Sequence, residues 1–152
     1  YPKKAELICS SLCEKINKEF HNIDIVLSPA IGGIVVGYEI SRQLKVQNFF
    51  SERENEVMTL RRGFEIKKNQ KILIVEDVIT TGKSSLECST LATKLGGKII
   101  GFACLIDRSN GKSKIKDSIV AQVEIDIPTY KTEDIPKHLK EIKAVKPGSR
   151  NL

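Results

Sequence analysis

ILIVEDVITTGKSS, residues 72–85, carries the clearest secondary-structure pattern in the chain. It begins with the apolar run 72–75, passes through Glu76 and Asp77, and then reaches the Thr/Gly-rich segment 79–82. A short unbroken apolar run is typical of a strand buried on both faces, as in a parallel sheet. A glycine-containing turn that leads into a helical pattern indicates the start of a helix. The stretch therefore predicts a buried strand, a turn and a helix, in that order.

The rest of the chain repeats this alternation of strands and helices. Apolar positions at helical spacing predict helices over 2–20, 34–44 and 83–95, and apolar runs predict strands over 25–27, 46–50, 98–108 and 118–127. Alternating elements of this kind indicate an α/β fold, with an open, mainly parallel sheet flanked by helices. A length of 152 residues fits one domain, 1–152. Because no strand or capping sequence precedes the first helix, we expect an N-terminal portion to be missing.

Composition narrows the classes of function. Aromatic residues make up 5% of the chain, which is little for stacking single-stranded nucleic acid. The net charge of +6 is spread along the chain, which favours small polyphosphate substrates over a nucleic-acid partner. Because no apolar run approaches the ~20 residues needed to cross a bilayer, we expect no membrane partner. The four cysteines, without a metal-binding spacing, are typical of buried thiols in a reducing cytoplasm.

The turn after the acidic pair has the features of a phosphate site. Backbone N–H groups of such a turn, hydroxyls of Thr80, Thr81 and Ser84, and the positive end of a helix dipole would converge there. Gly82-Lys83-Ser84 lacks the spacing of a Walker A loop. Since carboxylates repel phosphate, the acids must face another part of the ligand. A sugar phosphate satisfies both the acidic pair and the turn, because its hydroxyls can bind the acids while its phosphate occupies the turn. Such acids would also favour Mg²⁺ shared with the ligand, and positive charge at the anomeric carbon.

IVEDVITTGKS, residues 74–84, closely resembles the signature of the type I phosphoribosyltransferases. The resemblance implies that fold and a phosphoribosyl pyrophosphate (PRPP) donor bound together with Mg²⁺ near Glu76 and Asp77, without direct side-chain ligation of the ion. SPAIGGIVVGYEI, residues 28–40, resembles the early strand, turn and helix of the orotate-specific branch of that family, whose turn binds pyrophosphate. The expected donor-binding residues are Glu76, Asp77, Val78, Ile79, Thr80, Thr81, Gly82, Lys83 and Ser84, with Ala30, Ile31, Gly32 and Gly33 in the early turn.

Three further stretches are similar to the orotate-specific branch of that family, which makes orotidine monophosphate for UMP synthesis. Residues 49–64 resemble its mobile catalytic loop, whose arginines, here Arg53, Arg61 and Arg62, would join Glu76 and Asp77 in catalysis. CLIDRS, residues 104–109, places Arg108 where that branch binds the carboxylate of orotate, together with Thr80. The polar segment 129–152 resembles its C-terminal tail. The resemblance also implies a homodimer, because the loop reaches into the neighbouring site.

The sequence also departs from this branch and leaves alternatives open. Many orotate enzymes have a lysine in the early turn where this chain has Gly32, so more of the pyrophosphate charge would fall on Arg53 and the loop. A phosphoribosyltransferase for a purine base or uracil would share the phosphate motif. A regulator of the same fold that binds the donor without catalysis is a further alternative. His21 and His138 are expected at the surface, without a catalytic role.

Overall fold

The computed structural model describes residues 1–128 and 130–143. In chain order its elements are α1 (Pro2–Glu19), β1 (Ile25–Pro29), α2 (Gly32–Leu44), β2 (Gln47–Glu54), β3 (Val57–Leu60), β4 (Lys71–Ile79), α3 (Lys83–Lys94), β5 (Lys98–Asp107), β6 (Ile119–Glu124), a 3-10 helix (Thr132–Asp134) and α4 (Lys137–Lys140). None of the helices in these ranges combines the length and the apolar character that a membrane crossing requires.

The six strands form one sheet in the order β3-β2-β1-β4-β5-β6. Neighbouring strands are parallel except for the β2–β3 hairpin, which is antiparallel. The predicted α/β fold with a mainly parallel sheet flanked by helices is therefore confirmed. Both β1 and β4 lie in the centre of the sheet, which explains the unbroken apolar runs 25–27 and 72–75 within them.

The two faces of the sheet carry separate hydrophobic cores. Ile72 and Ile74 of β4 face α3, in a core with Cys88 and Phe102. Leu73 and Val75 face the opposite side, in a core formed with α1 and α2. This follows from the strand period of two, which sends successive side chains to opposite faces.

The sheet changes winding direction between β1 and β4. The chain leaves β1 through α2 to reach β2 on one side, whereas it leaves β4 through α3 to reach β5 on the other. The carboxyl ends of β1 and β4 therefore border a crevice from which two helices depart to opposite faces. Ligands of open α/β sheets bind at such a position.

The segment predicted as a mobile loop, 49–64, starts inside the sheet. Phe49 and Ser51 are buried in β2, which continues to Glu54 and so exceeds the predicted strand. The hairpin turns at Asn55 and Glu56, both with positive φ. Mobility of this segment stays a prediction. Of the predicted tail, Thr129 and 144–152 lie outside the described residues, and 130–143 contain only the two short helices.

Candidate active site

The phosphate turn, which we define as residues 80–84, lies between the end of β4 and the first turn of α3. Gly82 caps α3 with φ +76°, a left-handed conformation that glycine adopts without strain. A polar cavity of about 60 Å³ adjoins it, larger than the ~15 Å³ that one water requires. Its lining residues are Glu76, Val78, Thr80, Thr81, Gly82, Lys83 and Ser84. The structure thus brings these predicted donor-binding residues together around one small polar cavity.

One predicted residue of this stretch is placed differently. Ile79 is the last residue of β4, not part of the turn, and its side chain is buried in the core. Only its backbone could contribute to a ligand site. Its carbonyl accepts a hydrogen bond from the Arg108 N–H at 2.8 Å, which ties the turn to the chain after β5.

Glu76 faces α3 because it continues the alternation of Ile72 and Ile74. The Ser85 hydroxyl donates a hydrogen bond to its carboxylate. Burial raises the pKa of Glu76, the nearby charge of Asp77 adds to the increase, and the Ser85 hydrogen bond opposes it. The result is a half-buried carboxyl group that is held in place beside the first turn of α3.

Asp77 faces the other side of the sheet, toward the early turn. Its carboxylate lies against the α-carbon of Gly32, so that a β-carbon there would be 2.9 Å from Asp77 Oδ1. Gly32 is the first residue of α2. The two adjacent acids are therefore divided between two helix N-termini, Glu76 at α3 and Asp77 at α2.

Close packing holds the early turn, Ala30–Gly33, against the sheet. The Ala30 N–H donates to the Ser51 carbonyl at 2.7 Å. A β-carbon on Gly33 would lie 3.2 Å from the Val75 carbonyl oxygen, tighter than most contacts. Ile31, in contrast, is 82% exposed. Glycine at 32 and 33 thus lets the backbone of α2 begin directly beside β4, and the predicted early-turn residues do border the crevice.

Arg108 follows β5 at the same edge of the sheet. The Arg108 side chain is half-buried. Within the described ranges its Nε is buried without a hydrogen-bond partner, and its guanidinium forms no ion pair. An unsatisfied buried donor is costly, so an incoming anion would gain from pairing with it. The geometry is compatible with the predicted carboxylate-binding role of Arg108.

The three loop arginines are all paired with glutamates. Arg53 contacts Glu87 of α3, and two other pairs join Arg61 Nη1 to Glu54 at 3.5 Å and Arg62 Nε to Glu52 at 3.3 Å. Each arginine would have to leave its glutamate to neutralise pyrophosphate, so this role stays a prediction. Sequence reasoning missed these carboxylates. Glu87 lies 34 residues from Arg53 on α3, and Glu54 and Glu52 meet Arg61 and Arg62 only because the hairpin folds back on itself.

Comparison with known families and proteins decides the family. The family model described as "Phosphoribosyl transferase domain" matches residues 2–137. The orotate phosphoribosyltransferase of Maricaulis maris is 43% identical over 152 residues, which cover 99% of this chain and 78% of that protein. Those of Caldanaerobacter subterraneus and Methylorubrum populi are 45% and 46% identical, over 79% and 78% of their lengths. This chain belongs to the orotate phosphoribosyltransferase family.

Solved structures agree on the fold. The orotate phosphoribosyltransferase of Aeropyrum pernix superposes with a TM-score of 0.71 at 16% identity, covering 82% of this chain and 73% of the other. The adenine phosphoribosyltransferase of Thermoanaerobacter pseudethanolicus gives 0.68 at 15% identity, with 82% of both chains covered. At these identities the superpositions show the phosphoribosyltransferase fold alone, whereas the orotate family membership rests on the sequence relatives.

Proposed function

We propose that this protein transfers ribose 5-phosphate from PRPP to orotate, giving orotidine 5′-monophosphate and pyrophosphate, as a step of UMP synthesis. The observation that carries the proposal is the division of Glu76 and Asp77 between two helix N-termini. One carboxylate thus lies beside each of two turns that begin a helix, an arrangement that suits a sugar with an anionic group at either end. Membership of the orotate phosphoribosyltransferase family supports the same reaction.

The 5-phosphate of the donor would occupy the cavity beside the phosphate turn. In the first turn of α3, N–H groups have no partner inside the helix, and the helix dipole favours an anion there. Hydroxyls of Thr80, Thr81 and Ser84 would donate to the phosphate oxygens. Glu76 and Asp77 would accept hydrogen bonds from the ribose hydroxyls between the two turns.

The pyrophosphate of the donor would lie at the early turn, Ala30–Gly33. The backbone N–H groups at the start of α2, where the described residues provide no side-chain cap hydrogen bond, would donate to the pyrophosphate oxygens. Lys83, near the other turn, adds positive charge to the crevice. Arg53, Arg61 and Arg62 would neutralise the departing pyrophosphate after exchanging their glutamate partners.

Mg²⁺ fits the oxygen donors that these residues provide. This ion is commonly held by one or two carboxylates together with substrate phosphates. Oxygens of the donor and water would ligate the ion, while Asp77 beside the early turn and Glu76 beside the phosphate turn would lie close to it without direct ligation. When bound, Mg²⁺ would offset the negative charge of the pyrophosphate.

Catalysis would come from positioning and electrostatics. The bond from the anomeric carbon to pyrophosphate breaks with its electron pair leaving on pyrophosphate. N1 of orotate forms the new bond from the opposite face, and its proton passes to pyrophosphate or water. Carboxylates near the sugar stabilise positive charge at the anomeric carbon. Loop closure would exclude water, which otherwise competes for the sugar. Arg108 would bind the orotate carboxylate, with Thr80 nearby.

A homodimer and a cytoplasmic location complete the proposal. The β2–β3 hairpin, which leads into Arg61 and Arg62, forms one edge of the sheet. From that edge the arginines of the predicted catalytic loop would reach the active site of a neighbouring protomer. The four cysteines are buried and unpaired, as is common in a reducing compartment.

The decisive experiment is a pyrophosphate-release assay with PRPP, Mg²⁺ and one base at a time. Orotate should support turnover, whereas uracil, adenine and hypoxanthine should not. Turnover of one of those three bases without orotate would assign a different base. Donor binding without turnover of any base would indicate the regulator.

A further inference from the structure

The loop that joins β5 to β6, residues 108–118, is attached to the chain around the phosphate turn at two points. The Arg108 N–H donates to the Ile79 carbonyl at 2.8 Å, and the Lys114 N–H donates to the Thr81 carbonyl at 3.0 Å. Both are backbone hydrogen bonds, so they depend on the path of the loop. The path of the loop therefore constrains the path of the turn.

Ile115 adds a side-chain contact to this attachment. It is 7% exposed and lies in the hydrophobic core that contains Ile79 and Cys104. A β-carbon on Gly82 would be 2.8 Å from Ile115 Cγ1 and 3.0 Å from its Cδ1. The Ile115 side chain therefore packs directly on the α-carbon of Gly82, the residue that caps α3.

This contact matters because glycine has little intrinsic preference for one backbone conformation. Gly82 can adopt many backbone angles at similar energy, and ordering it costs more entropy than ordering any other residue. Gly82 has no side chain with which to cap α3, and among the described residues the side-chain acceptor on a first-turn N–H is the Thr81 hydroxyl, which lies 3.4 Å from the Lys83 nitrogen. The orientation of the first-turn N–H groups therefore depends on contacts from outside the helix, and Ile115 supplies one.

We propose that Ile115 is a positioning residue for the donor, and that it orders the phosphate turn through Gly82 while the Lys114 N–H fixes Thr81. The inference rests on the proposed function, since it assigns the 5-phosphate of PRPP to this turn. Ile115 faces Gly82 from the core and does not line the small polar cavity. It acts on binding through the backbone, not by touching the ligand.

The expected kinetic signature is specific for one substrate. Ile115→Ala should raise the KM for PRPP about tenfold. The reason is that a shift of up to about 1 Å in the N–H groups that bind the 5-phosphate is enough to weaken binding by about this factor. The KM for orotate should change less than about threefold, and kcat should fall little, as when uniform binding energy is lost. Affinity for ribose 5-phosphate, measured by calorimetry, should fall by a similar factor of about ten.

Matched variants separate positioning from loss of stability. Ile99→Ala truncates a partly buried isoleucine that packs on the same core from the amino-terminal half of β5, far along the strand from the turn. It should lower the melting temperature without changing the KM for PRPP. Ile115→Val keeps most of the contact and should restore the KM to within about twofold of wild type.

Lys114 tests the second attachment. Lys114→Pro removes the N–H that bonds Thr81 and should raise the KM for PRPP, whereas Lys114→Ala keeps it and should not. The inference is overturned if Ile115→Ala affects donor binding no more than Ile99→Ala does. Should the alanine variant not fold, the inference is overturned if Lys114→Pro leaves the KM for PRPP no higher than that of Lys114→Ala. In that case wild-type turnover of orotate would leave the proposed function standing. If the wild-type protein neither binds ribose 5-phosphate nor releases pyrophosphate, both fail.

Discussion

Gly32→Ala should lower the activity of the protein without unfolding it. The new methyl group would overlap Asp77 Oδ2 and lie 2.7 Å from Asp77 Cγ, whereas ordinary contact begins at 3.4 Å. The carboxyl group must therefore retreat by about 1 Å. The obstacle is the end of a half-exposed side chain, which can rotate away. Displacements near 1 Å can cost about 100-fold in rate, so we expect kcat/KM for PRPP to fall about 10- to 100-fold.

Stability should change little in this variant. Alanine is favoured over glycine inside helices by up to about 1 kcal/mol, and Gly32 does not have a positive φ. The free energy of unfolding in urea should therefore stay within about 1 kcal/mol of wild type. Pyrophosphate release with orotate gives the activity of the same preparation.

The double variant Gly32→Ala/Asp77→Ala is the control. Without the carboxylate the methyl group has nothing to displace, so Gly32→Ala should change kcat/KM by less than about twofold in the Asp77→Ala background. An equal loss of activity in both backgrounds would refute the steric argument. So would wild-type activity of the single variant Gly32→Ala.

Three further predictions test the site. Arg108→Ala should raise the KM for orotate about 10- to 100-fold, because a charge-assisted hydrogen bond to the substrate is lost, and should leave the KM for PRPP nearly unchanged. Equal effects on the KM of both substrates would contradict the role of Arg108. Burial raises the pKa of Glu76, so ionisation of Glu76 opposes folding increasingly as the pH rises through the folded-state pKa. Urea unfolding should find Glu76→Gln more stable than wild type at about pH 8 and the difference lost near about pH 3, below the unfolded pKa; a difference independent of pH would contradict this. Chelation of divalent ions by EDTA should abolish pyrophosphate release and added Mg²⁺ should restore it, whereas full turnover in EDTA would exclude the role given to Mg²⁺.

The elements of the fold were predictable because the helices have apolar residues at helical spacing and the central strands have unbroken apolar runs. The run 72–75 is apolar at every position, as a strand covered on both faces must be, and the predicted helices and strands are all present. The boundary at Ile79 was not predictable from composition alone. The Thr/Gly-rich segment looks like a turn, but Ile79 pairs with Asp107 of β5 and extends the strand.

The residues of the site were identified more easily than their arrangement. Glu76 and Asp77 are adjacent in sequence, and only the knowledge that the strand continues past them places their side chains on opposite faces. Ser85 carries a weak signal, since a serine in the first turn of a helix can reach a neighbouring carboxylate. Ile115 carries none, because its contact with Gly82 links positions that only the fold brings together.

The separate cores on the two sheet faces have a consequence for ligand-dependent stability. The phosphate turn and α3 rest on one core, and the early turn and α2 rest on the other. A bound donor would contact both helix layers, so neither layer could detach from the sheet without releasing the ligand. PRPP should therefore protect amides of α2 and α3 alike from hydrogen exchange, in proportion to its concentration above Kd.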